Sequence, residues 1–321
     1  MAITTSGDLA PAVRQDLAMR MLSLPTPNLI HKEFAMKDIL EAKHGDTKRY
    51  RLYNKFATAT APLGPSAAPI AGKTLSASDL DAKISWYGDW VGVSEQVVLA
   101  NQEKVLNEAA LILGLQLRET EDELIKDVLA ATPSQVNCVG GVNGQVPTEF
   151  TQSDSVAVTT ALINNSASMF LSGIKGADII GSSPVRNAFV GMAHSRIIDD
   201  LENGSPNASP DFISAANYAF QDNVMPGEWG TIRNVRYFVS PVGSISLKAS
   251  SGGQDVANVF IAAKESYACI KQGGASAEFI YNPPYLSDQL RQSVSMGWKM
   301  AQVPRLLRPE WLFNLRCSLA N

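Results

Sequence analysis

Residues 84–133, ISWYGDWVGVSEQVVLANQEKVLNEAALILGLQLRETEDELIKDVLAATP, decide the fold. The stretch begins with alternation of period two: Ile84, Trp86 and Trp90 fall on one side, with Lys83, Ser85 and Asp89 on the other, as in a strand with one wet face. It then changes period. From Glu95 to Ala131 the apolar residues Val98, Val105, Ala109, Ile112, Leu113, Leu117, Leu124 and Val128 recur at helical spacing. Ser94 is a candidate N-cap and Pro133 a stop signal. A helix of that length is about 50 Å long at 1.5 Å per residue. It is too long for a small domain, so it is expected to run through the subunit as a backbone element. The carboxylate run Glu119–Glu123 reads as its solvated face.

Upstream, Tyr50, Leu52 and Phe56 alternate with Arg49, Arg51, Tyr53 and Lys55. Between this strand and the alternation that starts at Ala82 lies ATATAPLGPSAAPIAGKTLSAS, residues 57–78, rich in Pro, Ala, Gly and Ser. Two strands framing such a connector are expected to form a long hairpin, and its tip gains order from a neighbour. Residues 1–30 hold one short helical stretch around Val13, Leu17 and Met21, ended by Pro25 and Pro27, and read as an arm. Downstream, a helix is expected over Val156–Phe170. AFVGMAHSRIIDDLENG reads as a buried strand followed by a short helix that ends at Asn203 and Gly204. RNVRYFVS and NVFIAAKESYACI read as two further strands. The alternations through Val294, Met296, Trp298 and Met300, and through Trp311, Phe313, Leu315, Cys317 and Leu319, give two closing strands separated by a loop at Pro304 and Pro309. The fold class is α+β.

Several function classes lose support on composition and spacing. A formal charge of -4 over 321 residues is not that of an electrostatic nucleic-acid binder. The three cysteines, Cys138, Cys269 and Cys317, include no CxxC pair and suggest neither a disulfide framework nor a zinc site. The N-terminal residues lack a charged n-region followed by an apolar h-region, and no stretch approaches the roughly 20 apolar residues that span a bilayer. The expectation is therefore a chain kept in a reducing cytoplasm. His31, His44 and His194 are scattered, which favours solvated or capping roles over a metal site, and no GxSxG elbow occurs. AAPIAGKT, residues 67–74, loosely fits a phosphate loop ending in Lys73 and Thr74. However, Pro69 removes an amide, the first glycine is missing, and the residues after Thr74 read as a strand instead of a helix N-terminus. No cofactor is expected. Lys43, Lys48, Arg49, Arg51 and Lys55 form the densest basic cluster. It reads first as the wet edge of a strand, and second as a contact for acidic residues of a neighbouring subunit or for DNA.

The order of elements resembles the HK97 fold of tailed-phage coat proteins. ISWYGDWVGVSEQV, AFVGMAHSRIIDDL, PGEWGTIRNVRYFVS, VFIAAKESYACIKQGG and SVSMGWKMAQVPRLLRPEWLFNLRCSL are similar, in that order, to blocks of the coat-protein family typified by phage N-four. The resemblance runs from about Lys48 onward.

It implies an N-terminal arm (1–46), an extended loop (47–93), a peripheral domain with the spine helix (94–177), an axial domain (178–284) and return strands of the peripheral domain (285–321). It implies a major capsid protein that is not an enzyme. Copies would form hexamers and pentamers of an icosahedral head around double-stranded DNA, assembled in the host bacterial cytoplasm and carried in the virion. Scaffolding, portal and decoration proteins are the implied partners, with non-specific contact to packaged DNA and no membrane. Lys48, Arg49, Arg51, Lys55, Leu63, Pro65, Pro69 and Lys73 are the candidate inter-subunit contacts. Some relatives cross-link a loop lysine to a neighbour's asparagine; Lys73 lies in the corresponding loop, but no matching partner motif accompanies it. The alternatives are a cellular nanocompartment shell of the same fold and a nucleotide-binding enzyme using the Lys73 loop.

Overall fold

The computed structural model describes residues 26–60, 72–94, 105–138, 146–170, 187–203, 212–218, 224–247, 249, 253–274, 277–283 and 293–319. The arm helix around Val13, Leu17 and Met21 and the hairpin-tip residues Leu63, Pro65 and Pro69 lie outside them. The first part of the chain forms β1 (Met36–Leu40), β2 (Thr47–Tyr53), β3 (Ala77–Lys83), β4 (Ser85–Ser94), α1 (Val105–Ala130), β5 (Gln135–Asn137) and α2 (Gln152–Asn164). The middle forms β6 (Phe189–His194), α3 (Ile198–Asn203), β7 (Phe212–Ser214), β8 (Glu228–Ile232), β9 (Val235–Ser240) and β10 (Ile245–Ser246). The remainder forms β11 (Val256–Ala262), β12 (Tyr267–Gln272), β13 (Glu278–Asn282), β14 (Ser293–Leu306) and β15 (Leu312–Ser318).

Three sheets result. An eight-stranded sheet runs β5-β15-β11-β6-β9-β8-β7, with β10 on β11. Every residue of β11 is buried, because this strand is covered on both faces. Val259 and Ile261 enter a core with Phe150, Val158 and Leu162 around α2. Phe260 and Ala262 enter a second core with Ile125 and Leu129 at the end of α1. The second sheet is built on β14, which pairs β4 along ten residues, β13 over Glu278–Asn282 and β12 over Tyr267–Lys271, with β1 parallel on β12. Met296, Trp298 and Met300 point from β14 to Leu113 of α1. One helix thus seals the long sheet with its first turns and the eight-stranded core with its last. The third sheet is the β2-β3 hairpin alone.

The described part of the expected helix is Val105–Ala130, and its 26 residues make about 39 Å of rod; its expected first residues, 95–104, lie outside the described residues. Several other expectations need correction. The hairpin partner of β2 begins at Ala77, inside the stretch read as connector, and the run from Ser85 belongs to a different sheet. α2 starts earlier than expected, at Gln152, because the Asp154 carboxylate accepts from the N–H and hydroxyl of Thr151. It also ends earlier, where Ser166 takes φ +54°. NVFIAAKESYACI is two strands and not one: Glu265 at φ +62° turns the chain out of β11 in one sheet and into β12 in the other. Pro304 lies inside β14 opposite Cys269, past Gln302 where the β4 ladder ends, so its missing N–H costs β4 nothing.

Candidate functional site

The β2-β3 ladder places Arg49 opposite Asp81 and Arg51 opposite Asp79. Arg49 donates to both Asp81 oxygens at 2.6 and 2.8 Å, and Arg51 to both Asp79 oxygens at 2.8 and 3.0 Å. These two-toothed pairs are the strong form of a charged hydrogen bond. The arginine bonds hold both carboxyls below the usual carboxylate range. At the base of the hairpin Lys48 lies 2.6 Å from Asp38, which also accepts from the Tyr50 hydroxyl at 2.6 Å. Partial burial raises the Asp38 pKa, but these bonds outweigh it and the net shift is downward. Lys48, Arg49 and Arg51 are therefore neutralised within the chain and do not form a free cationic face. Lys55 is exposed and has no ion-pair partner among the described residues. Lys73 donates to Ala57 O at 2.6 Å and sits 5.9 Å from the centre of the Phe56 ring, across the mouth of the tip. The first element after Thr74 is β3 and not a helix, so the phosphate-loop reading lacks its anion-binding helix end.

A second surface adjoins the hairpin. On the face of the β4-β14-β13 sheet turned away from α1, Trp86 and Trp90 are 60% and 71% exposed. Their register partners on β14 are Ala301 and Gly297. Trp90, Ile280 and Asn282 wall a groove floored by Gly88, Ser295 and Gly297. A Cβ on Gly297 would lie 2.7 Å from Asp89 O, and one on Gly88 2.7 Å from Trp298 O, so the glycines are what let β4 and β14 close at this point. The alternation of Trp86 and Trp90 was legible in the sequence. The face they occupy is nevertheless open, while Tyr87 and Val91 take the helix side.

The carboxylate run on α1 corrects its reading as a solvated face. Glu119 and Glu123 are exposed, but Glu121 and Asp122 are 2% and 1% exposed. Glu121 pairs with Lys32 and, at 2.5 Å, with Lys271; Asp122 accepts from the His31 ring at 2.7 Å and from the Lys32 N–H at 3.1 Å. His31 is thus neither solvated nor capping, whereas His44 is exposed and His194 caps the turn after β6 through Arg196 N–H. This cluster ties residues 28–35 to α1 and β12.

No protein-family model matches the chain, and no curated protein matches it in sequence. Solved structures do. The capsid chain of cyanophage P-SCSP1u superposes with a TM-score of 0.65 at 12% identity, over 96% of this chain and 94% of that one. The chain has a phage capsid fold. The capsid chains of Ralstonia phage GP4 (TM-score 0.63, 11% identity, 97% and 98% covered) and cyanophage Pam1 (TM-score 0.61, 15% identity, 95% and 98% covered) share this phage capsid fold from end to end. Among the described residues, no helix is long and apolar enough to cross a membrane.

Proposed function

We propose that the chain is the major capsid protein of a tailed phage, of the HK97 type and akin to the phage N-four coat proteins, acting through assembly and not catalysis. One observation carries this reading: the likeness to capsid chains spans nearly the whole of both partners, which leaves little of the chain for a separate catalytic unit. In the proposed division residues 1–46 are the arm, 47–93 the extended loop, 94–177 and 285–321 the peripheral domain, and 178–284 the axial domain. Copies associate head to tail into hexamers and pentamers, since heterologous contacts close into rings when the rotation closes. The hairpin, with Lys55 and Lys73 exposed and Leu63, Pro65 and Pro69 at its tip, lies on a neighbour. The open Trp86/Trp90 face receives such a segment. Many modest contacts of this kind become strong through multivalency. Scaffolding, portal and decoration proteins are the further partners, and contact with packaged DNA is non-specific. With Lys48, Arg49 and Arg51 already paired, their role in assembly is to stiffen the hairpin for docking.

The test is expression of the full chain with the scaffolding protein of its own genome, followed by sedimentation and negative-stain microscopy. Closed shells or rings are expected. The Trp86→Ser/Trp90→Ser double variant should keep the wild-type melting temperature yet stall as small subassemblies. A wild-type chain that stays monomeric under all these conditions overturns the proposal.

A further inference from the structure

The parallel pairing of β5 with β15 runs Gln135 to Asn314, Val136 to Leu315 and Asn137 to Arg316. Carried one step further, it sets Cys138 opposite Cys317. The backbone there is fixed from both sides: Cys138 N–H donates to Arg316 O at 2.9 Å, and Cys138 O accepts from the N–H and hydroxyl of Thr148 at 2.7 and 2.6 Å. Neighbouring strands lie about 4.7–4.9 Å apart, which puts residues facing each other across this parallel pair inside the roughly 4.4–6.8 Å Cα range that a disulfide spans. The two Sγ atoms are in contact at 2.7 Å, longer than the about 2.05 Å of a bond. Both side chains are fully buried in the core that holds Phe150 and Tyr237. Among the described residues no third His, Cys, Asp or Glu joins them to complete a metal set.

We infer that Cys138 and Cys317 are an oxidisable pair that closes into an intramolecular disulfide, stapling the segment after α1 to the C-terminal strand. Cys269 stays out of it, because it lies in the other sheet against Gln302. With a low-molecular-weight disulfide such as oxidised glutathione the exchange balances. One protein thiolate attacks a glutathione sulfur and releases one glutathione. The second thiolate then attacks the protein sulfur of the mixed disulfide and releases the other. Two protein thiols become one disulfide, one small disulfide becomes two thiols, and both protons end on glutathione. Burial first, and then the neighbouring Cys138 thiol, push the Cys317 thiol well above its ordinary range. The folded, reduced chain is therefore slow to react at neutral pH, and the bond closes during folding or on transient opening.

The experiment refolds the full chain from urea with either oxidised glutathione or a phosphine reductant, then unfolds it and alkylates the remaining thiols. After oxidative refolding a monomer lighter by two hydrogens is expected, with Cys269 alone alkylated and a peptide joining residues 138 and 317. Because the closed loop is long, with the partners 179 positions apart, the melting temperature should rise by about 5 °C or more and fall back on reduction. Cys317→Ala and Cys138→Ala should lose the cross-link, whereas Cys269→Ala should keep it. Cys269→Ala also keeps the test decisive if the core variants misfold. Three alkylatable thiols after oxidative refolding, glutathione adducts without the 138–317 peptide, or cross-links only between chains would overturn the inference.

Discussion

Nδ1 of His31 lies 2.7 Å from Oδ2 of Asp122, and both side chains are about 1% exposed. Asp122 also receives the Lys32 N–H, and the Tyr267 hydroxyl donates to His31 O at 2.7 Å. This carboxylate thus fixes the segment that leads into β1. Removing the carboxylate leaves the His31 ring and the Lys32 N–H without their acceptor, at a cost of about 1–3 kcal/mol for each buried group. Asp122→Ala should lower stability by that order in urea unfolding. Asp122→Asn, which keeps an acceptor for the Lys32 N–H, should lose less. A loss below about 1 kcal/mol for the alanine variant would show that the cluster is dispensable.

Asp200 gives a pH-dependent counterpart. Burial first, and then Glu149 and Asp199, push its carboxyl up to about 6. The folded state therefore holds a proton that the unfolded state releases at its ordinary value of 3.8. The resulting stability is fully present below 3.8 and is lost as pH rises through about 6. Asp200→Asn should melt higher than wild type at pH 8 and level with it near pH 4. Since the group is half exposed, screening should hold the gain to roughly 1–2 °C. An equal gain at both pH values would assign the effect to packing instead of charge.

What was legible in the chain was whatever a single segment encodes by its own periodicity. The rod of α1, the alternation of β14 and β15, and the buried run of β6 all followed from spacing. β3 did not, because Ala77–Lys83 carries one large apolar residue, Leu80, and the partners of its carboxylates, Arg49 and Arg51, lie some thirty positions upstream. Glu121 and Asp122 looked solvated because the groups that bury them, His31, Lys32 and Lys271, are distant in sequence. The division of β11 from β12 rests on one positive φ at Glu265, a position that carries no glycine to announce it. Cysteine spacing likewise hides the Cys138/Cys317 contact, which only the β5-β15 register creates. Of the candidate contacts, Lys48, Arg49 and Arg51 do lie on a strand, whereas Lys55 falls past its end, and the carboxylate partners of the first three were not foreseen.

Gly297 and Gly92 offer a paired test of the close approach between β4 and β14. A Cβ at Gly297 meets Asp89 O at 2.7 Å and Trp90 Cβ at 2.8 Å, so the ladder itself must move. At Gly92 it meets only the outer edge of the Trp90 ring, at 3.3 Å, and that exposed side chain has room to turn. Gly297→Ala should cost about 1–3 kcal/mol, in line with overpacking, and Gly92→Ala much less. Thermal melts of the two variants side by side check the order, and the reverse ranking would contradict the register.

The hairpin should come apart in acid before the body of the subunit does. Arg51 and Arg49 hold Asp79 and Asp81 below the ordinary carboxylate range, so the folded hairpin favours their ionised forms. A depressed folded pKa contributes stability that is present above the unfolded value of 3.8 and is lost as pH falls through the folded one. Hydrogen exchange, corrected for intrinsic rates, should show steady protection of the β2 and β3 amides from neutral pH down to about 3.8. Below it they should lose protection while β11, buried along its whole length, keeps its own. Arg51→Asp should remove that protection at neutral pH by facing Asp79 with a like charge, and the exchanged pair Arg51→Asp/Asp79→Arg should restore it. If β11 loses protection in the same step as the hairpin, or if the exchanged pair fails to recover, then the ion pairs do not hold the hairpin together and its order comes from Tyr50 packing at the base.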